Sequence, residues 1–189
     1  MELLDSQGNR KYLTAQERIA FEIAAKNTNR EVRVFCLMLL YTGCRISEGL
    51  NIRAKDIDLS AKAVTIGSMK KRKIGIFRQV PLSPDFLNEL ELVFNLKNLK
   101  PKEKESFLWS WSRTTAFRRI CEVMQSAEIE GTQASPKGLR HSFAIHALER
   151  KIPLNLVSKW LGHSSLEVTA IYANALGAEE RNIAQRLWI

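Results

Sequence analysis

Apolar residues recur at three- and four-residue intervals over most of the chain and at alternate positions only near its middle. That pattern predicts a mainly α-helical domain with a small antiparallel sheet, an α+β fold. Thr14-Ala15-Gln16-Glu17 sets a hydroxyl three residues ahead of a carboxylate, a capping box, and opens a helix whose apolar stripe is Ile19, Ile23 and Phe21, running to about Lys26. Asn29 is placed to cap the next helix, in which Val34 through Leu40 is apolar without a break. A helix that is apolar all round belongs at the centre of a domain. Gly43 ends it, and Arg45 stands where a short helix, Ile46 to about Ile52, departs from it.

The period then changes. Ala63 to Ile66 and Ile76 to Leu82 read as strands, flanking Lys70-Lys71-Arg72-Lys73-Ile74-Gly75, and predict a hairpin with a charged tip. Ser83-Pro84, a cap followed by proline, opens a helix to about Lys97. The charged run from Lys97 to Glu105, with Pro101, reads as a mobile surface loop. Ser112 caps a helix from Arg113 to about Ala127, and Trp109, Trp111 and Trp160 read as packing residues. Ser135-Pro136 repeats the cap-plus-proline opening for a helix carrying Lys137, Arg140 and His141. A short helix follows Pro153 and stops at Leu161-Gly162. Ser164-Ser165-Leu166-Glu167, a further capping box, starts the helix that bears Tyr172. Residues 1 to 12 read as a loose lead-in, and 178 to 189 as an amphipathic tail with Ile183, Leu187, Trp188 and Ile189 near one side. The whole of 1–189 reads as one domain.

Charge narrows the partners. Lys and Arg number 29 against 20 Asp and Glu, a formal +9, which favours nucleic acid or an acidic membrane surface. No signal peptide and no run of about 18 apolar residues is found, so a cytoplasmic protein is expected. Cys36, Cys44 and Cys121 form no C-x-x-C pair and read as reduced thiols. His141 and His146 are five apart, on different helical faces, so no metal site is expected.

The candidate chemistry begins with Lys137 and Arg140, three apart in a first helical turn, where they share a face with the helix's N-terminal amides. Such a start is either a phosphate pocket or a solvated basic helix end. Tyr172 is a phenol, a poor nucleophile at its free pKa near ~10 unless its surroundings help it.

The segments in order carry more. T-G-C-R-I-S-E at 42–48, P-K-G-L-R-H-S-F at 136–143, L-G-H at 161–163 and Y-A-N at 172–174 closely resemble the tyrosine recombinases, the phage-integrase family, over about Thr14 to Asn174. The resemblance implies site-specific DNA strand exchange without metal or nucleotide cofactor, through a 3′-phosphotyrosyl intermediate. Arg45 matches the first arginine and Arg140 the second, both clamping the scissile phosphate. His163 matches the phosphate-contacting histidine, and Tyr172 the nucleophile. The family's hairpin lysine, general acid toward the departing 5′ oxygen, aligns with Lys70; Lys71 and Lys73 remain alternatives, and Lys71, Arg72 and Lys73 otherwise read as DNA-backbone contacts. Where the family usually has His-x-x-Arg, this chain has Lys137 in the histidine slot. Crowded by Arg45 and Arg140, Lys137 is expected to act mainly as a third phosphate-binding cation, with proton removal from Tyr172 shared or solvent-mediated. Glu48 resembles the acid that orients the first arginine, and His141 reads as a core residue or a supporting neighbour of the site.

The implied partners are double-stranded DNA, further copies of the chain in a tetramer on DNA, and accessory DNA-binding proteins, with nucleoid association and no membrane. Family members commonly add an N-terminal helical clamp; here the pattern begins almost at Met1, as in a fragment or a small standalone recombinase. The tail at 178–189 is expected on a neighbouring subunit or on its own domain. The rival readings are a DNA-binding regulator without catalysis and an enzyme like the type IB topoisomerases.

Overall fold

A computed structural model describes residues 3–69, 75–163 and 165–173. Its centre is α2 (Arg30–Thr42), capped by the Asn29 side chain, which accepts from the Val32 amide. Val34, Phe35, Cys36, Leu37, Met38 and Leu39 are all sealed from solvent. Each large apolar side chain so buried contributes roughly 1.5–3 kcal/mol, so this helix fixes the positions of its neighbours. Around it pack α1 (Ala15–Lys26), α3 (Ile46–Leu50), α4 (Pro84–Phe94), α5 (Arg113–Ser126) and α6 (Pro136–Glu149). The Trp109 indole, sealed beside Phe35, donates to the Glu31 carbonyl.

Both halves of the α1 capping box form: Thr14 Oγ1 accepts from the Glu17 amide, and Glu17 accepts from the Thr14 amide. The stripe differs from expectation. Phe21 and Ala25 are buried, whereas Ile19 and Ile23 are 60% and 57% exposed. Two i,i+4 pairs half a turn apart compete for one inward face, and the pair holding the large aromatic ring faces the core.

Three antiparallel strands lie in the order β1 (Ile57–Asp58), β2 (Ala63–Gly67), β3 (Phe77–Pro81), with Ile66 opposite Arg78. The hairpin is as expected, while β1, two residues long, is below what periodicity detects. Ser68 N–H donates to the Ile76 carbonyl and extends the ladder toward the tip. The tip itself, and with it Lys70, Lys71, Arg72 and Lys73, lies outside the described residues, as do Ser164 and the tail at 178–189.

Three expectations are corrected in the loops. Asn95 adopts φ 50° and ends α4 at Phe94, short of Lys97. The segment from Lys97 to Glu105 is folded into short 3-10 turns, and Glu105 accepts from Arg53 and Lys55 at 3.0 and 2.6 Å. The lead-in is folded as well. Leu4 bridges Arg10, Asp5 accepts from the Gln7 and Asn9 amides, and Arg10 pairs with Glu17. Leu3 and Tyr12 pack on a second apolar cluster.

That second cluster holds Phe143, Ala144, Ile145, Ala147 and Leu148 of α6, Val157 and Leu161 of α7 (Leu154–Leu161), and Tyr172 of α8 (Glu167–Ala173). Helix α6 thus spans both cores, with Leu139 in the first and Phe143 in the second. Gly43 makes the junction tight. Its φ is +61°, and a Cβ there would sit 2.5 Å from the Phe143 ring, so no side chain fits. Among the described residues no helix is long and apolar enough to cross a membrane.

Candidate active site

Arg45 follows the left-handed turn at Gly43 and becomes the N-cap of α3. Glu48, three residues on, returns its carboxylate to that cap, accepting from the Arg45 amide at 3.0 Å and from its guanidinium at 2.9 Å. The same carboxylate, with no solvent exposure, accepts from Arg78 Nη2 at 2.6 Å. Burial alone would raise the Glu48 pKa, but the Arg78 hydrogen bond and charge, then those of Arg45, hold it below the usual value. Glu48 therefore orients Arg45, as the sequence suggests, and also neutralises a buried second arginine.

Arg78 was not singled out from the sequence. It sits on β3 with its side chain inward, donates through Nε to the Trp160 carbonyl at 2.6 Å, and lies against Gly162, where φ is +66°. A signal was available. Arg78, Val80 and Leu82 are in phase along the strand, so the period that buries Val80 and Leu82 also buries this arginine.

Arg140 comes from the opposite direction. Ser135 accepts from the Gly138 amide, Pro136 begins the helix, and the turn that follows carries Lys137 and Arg140. Arg140 is 4% exposed. Its two terminal nitrogens donate to the Gly43 and Leu161 carbonyls, both at 2.7 Å, tying α6 to the end of α2 and the end of α7. Burial, then the neighbouring Arg45 charge, pull its pKa down to about 10, so it remains a cation at neutral pH. Among the described residues Arg140 makes no ion pair, and its Nε has no hydrogen-bond partner.

These groups share one cleft of about 460 Å³. Arg45, Lys137 and Arg140 line it together with Ser47, Arg113 and His141. Residues 45 and 137–140, distant in sequence, therefore present their cations to a common space. Lys137 is exposed and Arg45 partly so, whereas Arg140 is anchored. Positive donors of fixed geometry around an open volume suit a phosphate, whose oxygens accept several at once.

Behind His141 lies Tyr172, wholly buried. His141 Nδ1 is 3.0 Å from the phenol oxygen. Burial raises the Tyr172 pKa, an effect that Arg140 and Arg45 partly offset. His141 is pushed down to about 4 by burial, then by Lys137, Arg140 and Lys11, so its ring is neutral. Gly162 ends α7 in a left-handed conformation, and His163 follows. Its Nδ1 is 2.8 Å from Thr169 Oγ1, and its ring lies nearly parallel to that of Tyr172, with centroids 6.2 Å apart. Arg45, Glu48, Lys137, Arg140, His141, His163 and Tyr172 thus gather in one region. Among the described residues no three His, Cys, Asp or Glu stand where they would hold a metal ion.

The model of the phage integrase family matches residues 11–179. The tyrosine recombinase XerA of Pyrococcus furiosus is 30% identical over 188 residues, covering 93% of this chain and 61% of the relative. The crystal structure of a XerA recombinase superposes with a TM-score of 0.76 at 23% identity, covering 93% of this chain and 64% of that one. XerH site-specific recombinase bound to its difH substrate gives a TM-score of 0.72 at 20% identity, covering 89% and 55%. These structural likenesses bear on the fold, and this chain spans about three-fifths of the length of the XerA relative.

Proposed function

The chain belongs to the phage integrase family, and from that premise we propose that it cuts and rejoins DNA strands as the catalytic part of a site-specific recombinase. The observation that carries this reading is the convergence of Arg45, Lys137 and Arg140 on one cleft beside the buried Tyr172. In the proposed reaction the three cations hold the non-bridging oxygens of a backbone phosphate as charge builds on them. Tyr172 oxygen attacks phosphorus as its proton passes to solvent water or is shared with the neighbouring groups of the cleft, and the reverse step returns it. The bond from phosphorus to the 5′ oxygen breaks, and that oxygen takes a proton from a hairpin lysine, Lys70 or one of its alternatives Lys71 and Lys73. The products are a 3′-phosphotyrosyl link and a free 5′-hydroxyl. A partner strand's 5′-hydroxyl then attacks the same phosphorus and releases Tyr172. One phosphoester bond forms for each that breaks, so rejoining needs no nucleotide. His163 contacts the phosphate, and Glu48 keeps Arg45 aimed into the cleft.

Double-stranded DNA is the proposed substrate. The excess of cations favours it, and the XerH relative of the same fold is seen with a DNA substrate. Assembly of further copies on DNA, with accessory DNA-binding proteins, belongs to the same proposal.

The test uses a pool of nicked duplexes of random sequence. In these a cut beside the nick releases a short fragment and traps the covalent complex. Protein-linked DNA recovered under denaturing conditions, and lost in Tyr172→Phe, is the expected result. No adduct from any duplex overturns the reading, and supercoil relaxation without site preference replaces it with a topoisomerase.

A further inference from the structure

The cleft is larger than the group its cations hold. A phosphate fills a small part of about 460 Å³, whereas clefts of roughly 300–1,000 Å³ suit whole organic ligands. The rest of the wall is apolar: Ile46, Met69, Phe117 and Pro136 line it beside Arg45, Lys137 and Arg140. Ile46 and Pro136 are buried and belong to the scaffold. Met69 and Phe117 are 52% and 44% exposed, two large apolar side chains left open to water. One exposed apolar residue is ordinary. Here two from separate elements border the same cationic cleft.

Helix α5 places Phe117. Ala116, Ile120, Val123 and Met124 are buried and hold the helix on the core, which leaves Phe117 at the edge of the buried face. Arg113, one turn earlier on the same side, also lines the cleft, so α5 offers an aromatic ring with a cation beside it. Met69 lies two residues beyond the end of β2 and directly before Lys70 in the chain. Lys70 is the first of the lysines assigned above to the departing 5′ oxygen.

We propose that Phe117 and Met69 form a subsite for the leaving nucleoside, packing its deoxyribose beside the bound phosphate and selecting it over ribose. The proposal rests on the recombinase reading for which nucleoside leaves. The carbon face of a deoxyribose is stabilised by leaving water on such a wall. The side chains of Ile46, Met69, Phe117 and Pro136 hold no donor and no strong acceptor. A 2′-hydroxyl pressed on them gives up its water without gaining a partner, which disfavours ribose by about 10–100-fold.

The test watches the Phe117 ring. Protein labelled with 4-fluorophenylalanine gives a Phe117 fluorine line, identified by its loss in Phe117→Leu. In 2′-deoxycytidine 5′-monophosphate the phosphate and nucleoside are joined as on the leaving side. The 3′-monophosphate joins them the other way, and inorganic phosphate is the anion alone. The 5′ isomer is expected to shift the Phe117 line saturably, at concentrations where the 3′ isomer and phosphate leave it in place. Cytidine 5′-monophosphate should need about tenfold more or greater. Equal shifts from the two isomers, or no shift from either, overturn the subsite; equal response to deoxyribose and ribose overturns the selection. A second arm uses the nicked duplexes, with the released fragment made of ribonucleotides. Trapping should fall by about 10–100-fold in the native protein and by about threefold or less in Phe117→Ser, whose hydroxyl and added space relieve the penalty. The same penalty in both also overturns the selection. Absence of any adduct from the all-deoxy duplexes would sink the recombinase reading, and the fluorine titration then decides the subsite alone.

Discussion

The two walls of the cleft hold their arginines by opposite means. On the wall built from α3 and β3, Arg45 and Arg78 share one buried carboxylate, Glu48, so one of their two charges is balanced inside the protein. On the wall built from α6 and the end of α7, Arg140 is gripped by two neutral carbonyls and keeps its full charge. A carbonyl fixes a guanidinium in space without neutralising it, whereas a carboxylate does both. The first wall is therefore a support that sets geometry. The second is an unspent cation, buried at a cost that an incoming anion offsets.

The comparison breaks most visibly at Glu48. Glu48→Gln places an NH₂ donor against two arginine donors and leaves Arg78 buried without a counter-charge, and should destabilise the fold by about 3–5 kcal/mol in denaturant unfolding. Because the folded Glu48 pKa is depressed, its contribution is complete above the ordinary carboxyl value of 4.5 and lost as pH falls through the lower, folded value. Acid unfolding below pH 4.5 should accordingly be shallower in the variant. A variant as stable as the native protein would mean that the support is not electrostatic.

Arg140→Lys sharpens the other side. A lysine keeps the charge but not the fork that reaches two carbonyls at once. Trapping of nicked DNA should fall by roughly 10²–10³-fold, the loss typical of one misplaced oxyanion donor, while duplex binding at low salt changes little. Equal loss of binding and cleavage would assign Arg140 to affinity alone.

The smallest effect is expected far from both walls. Ile19→Ser and Ile23→Ser alter an exposed stripe of α1 and should shift stability by no more than about 0.5 kcal/mol in the isolated chain. A larger loss would show that the stripe is covered in solution.

What the sequence made legible follows from how each residue is held. Arg45, Arg140, His163 and Tyr172 sit in ordered local patterns, and caps such as Thr14 and Ser135 act within one turn. The burial of α2 was visible because it is apolar on every face. Ile19 and Ile23 misled because two equal stripes compete on α1, and only the neighbouring α2 decides between them. The folded lead-in was hidden because its local turn at Asp5 is held in place by Glu17 and Thr132, which lie outside it. Arg78 was passed over because a charged residue in a strand is ordinarily assigned to solvent. Its partners, Glu48 and Trp160, are 30 and 82 residues away. The bond from Tyr172 to His141 likewise spans 31 positions, which no local pattern encodes.

The bond from Arg78 to the Trp160 carbonyl has a mechanical consequence. One guanidinium clasps the second strand of the hairpin to the last turn of α7, two residues before Gly162 and three before His163. Like a tie-rod with one end on each part, it transmits displacement but absorbs little. Whatever tugs on that strand also tugs on the approach to α8, so a load on one part of the molecule is felt at another without any change in the core.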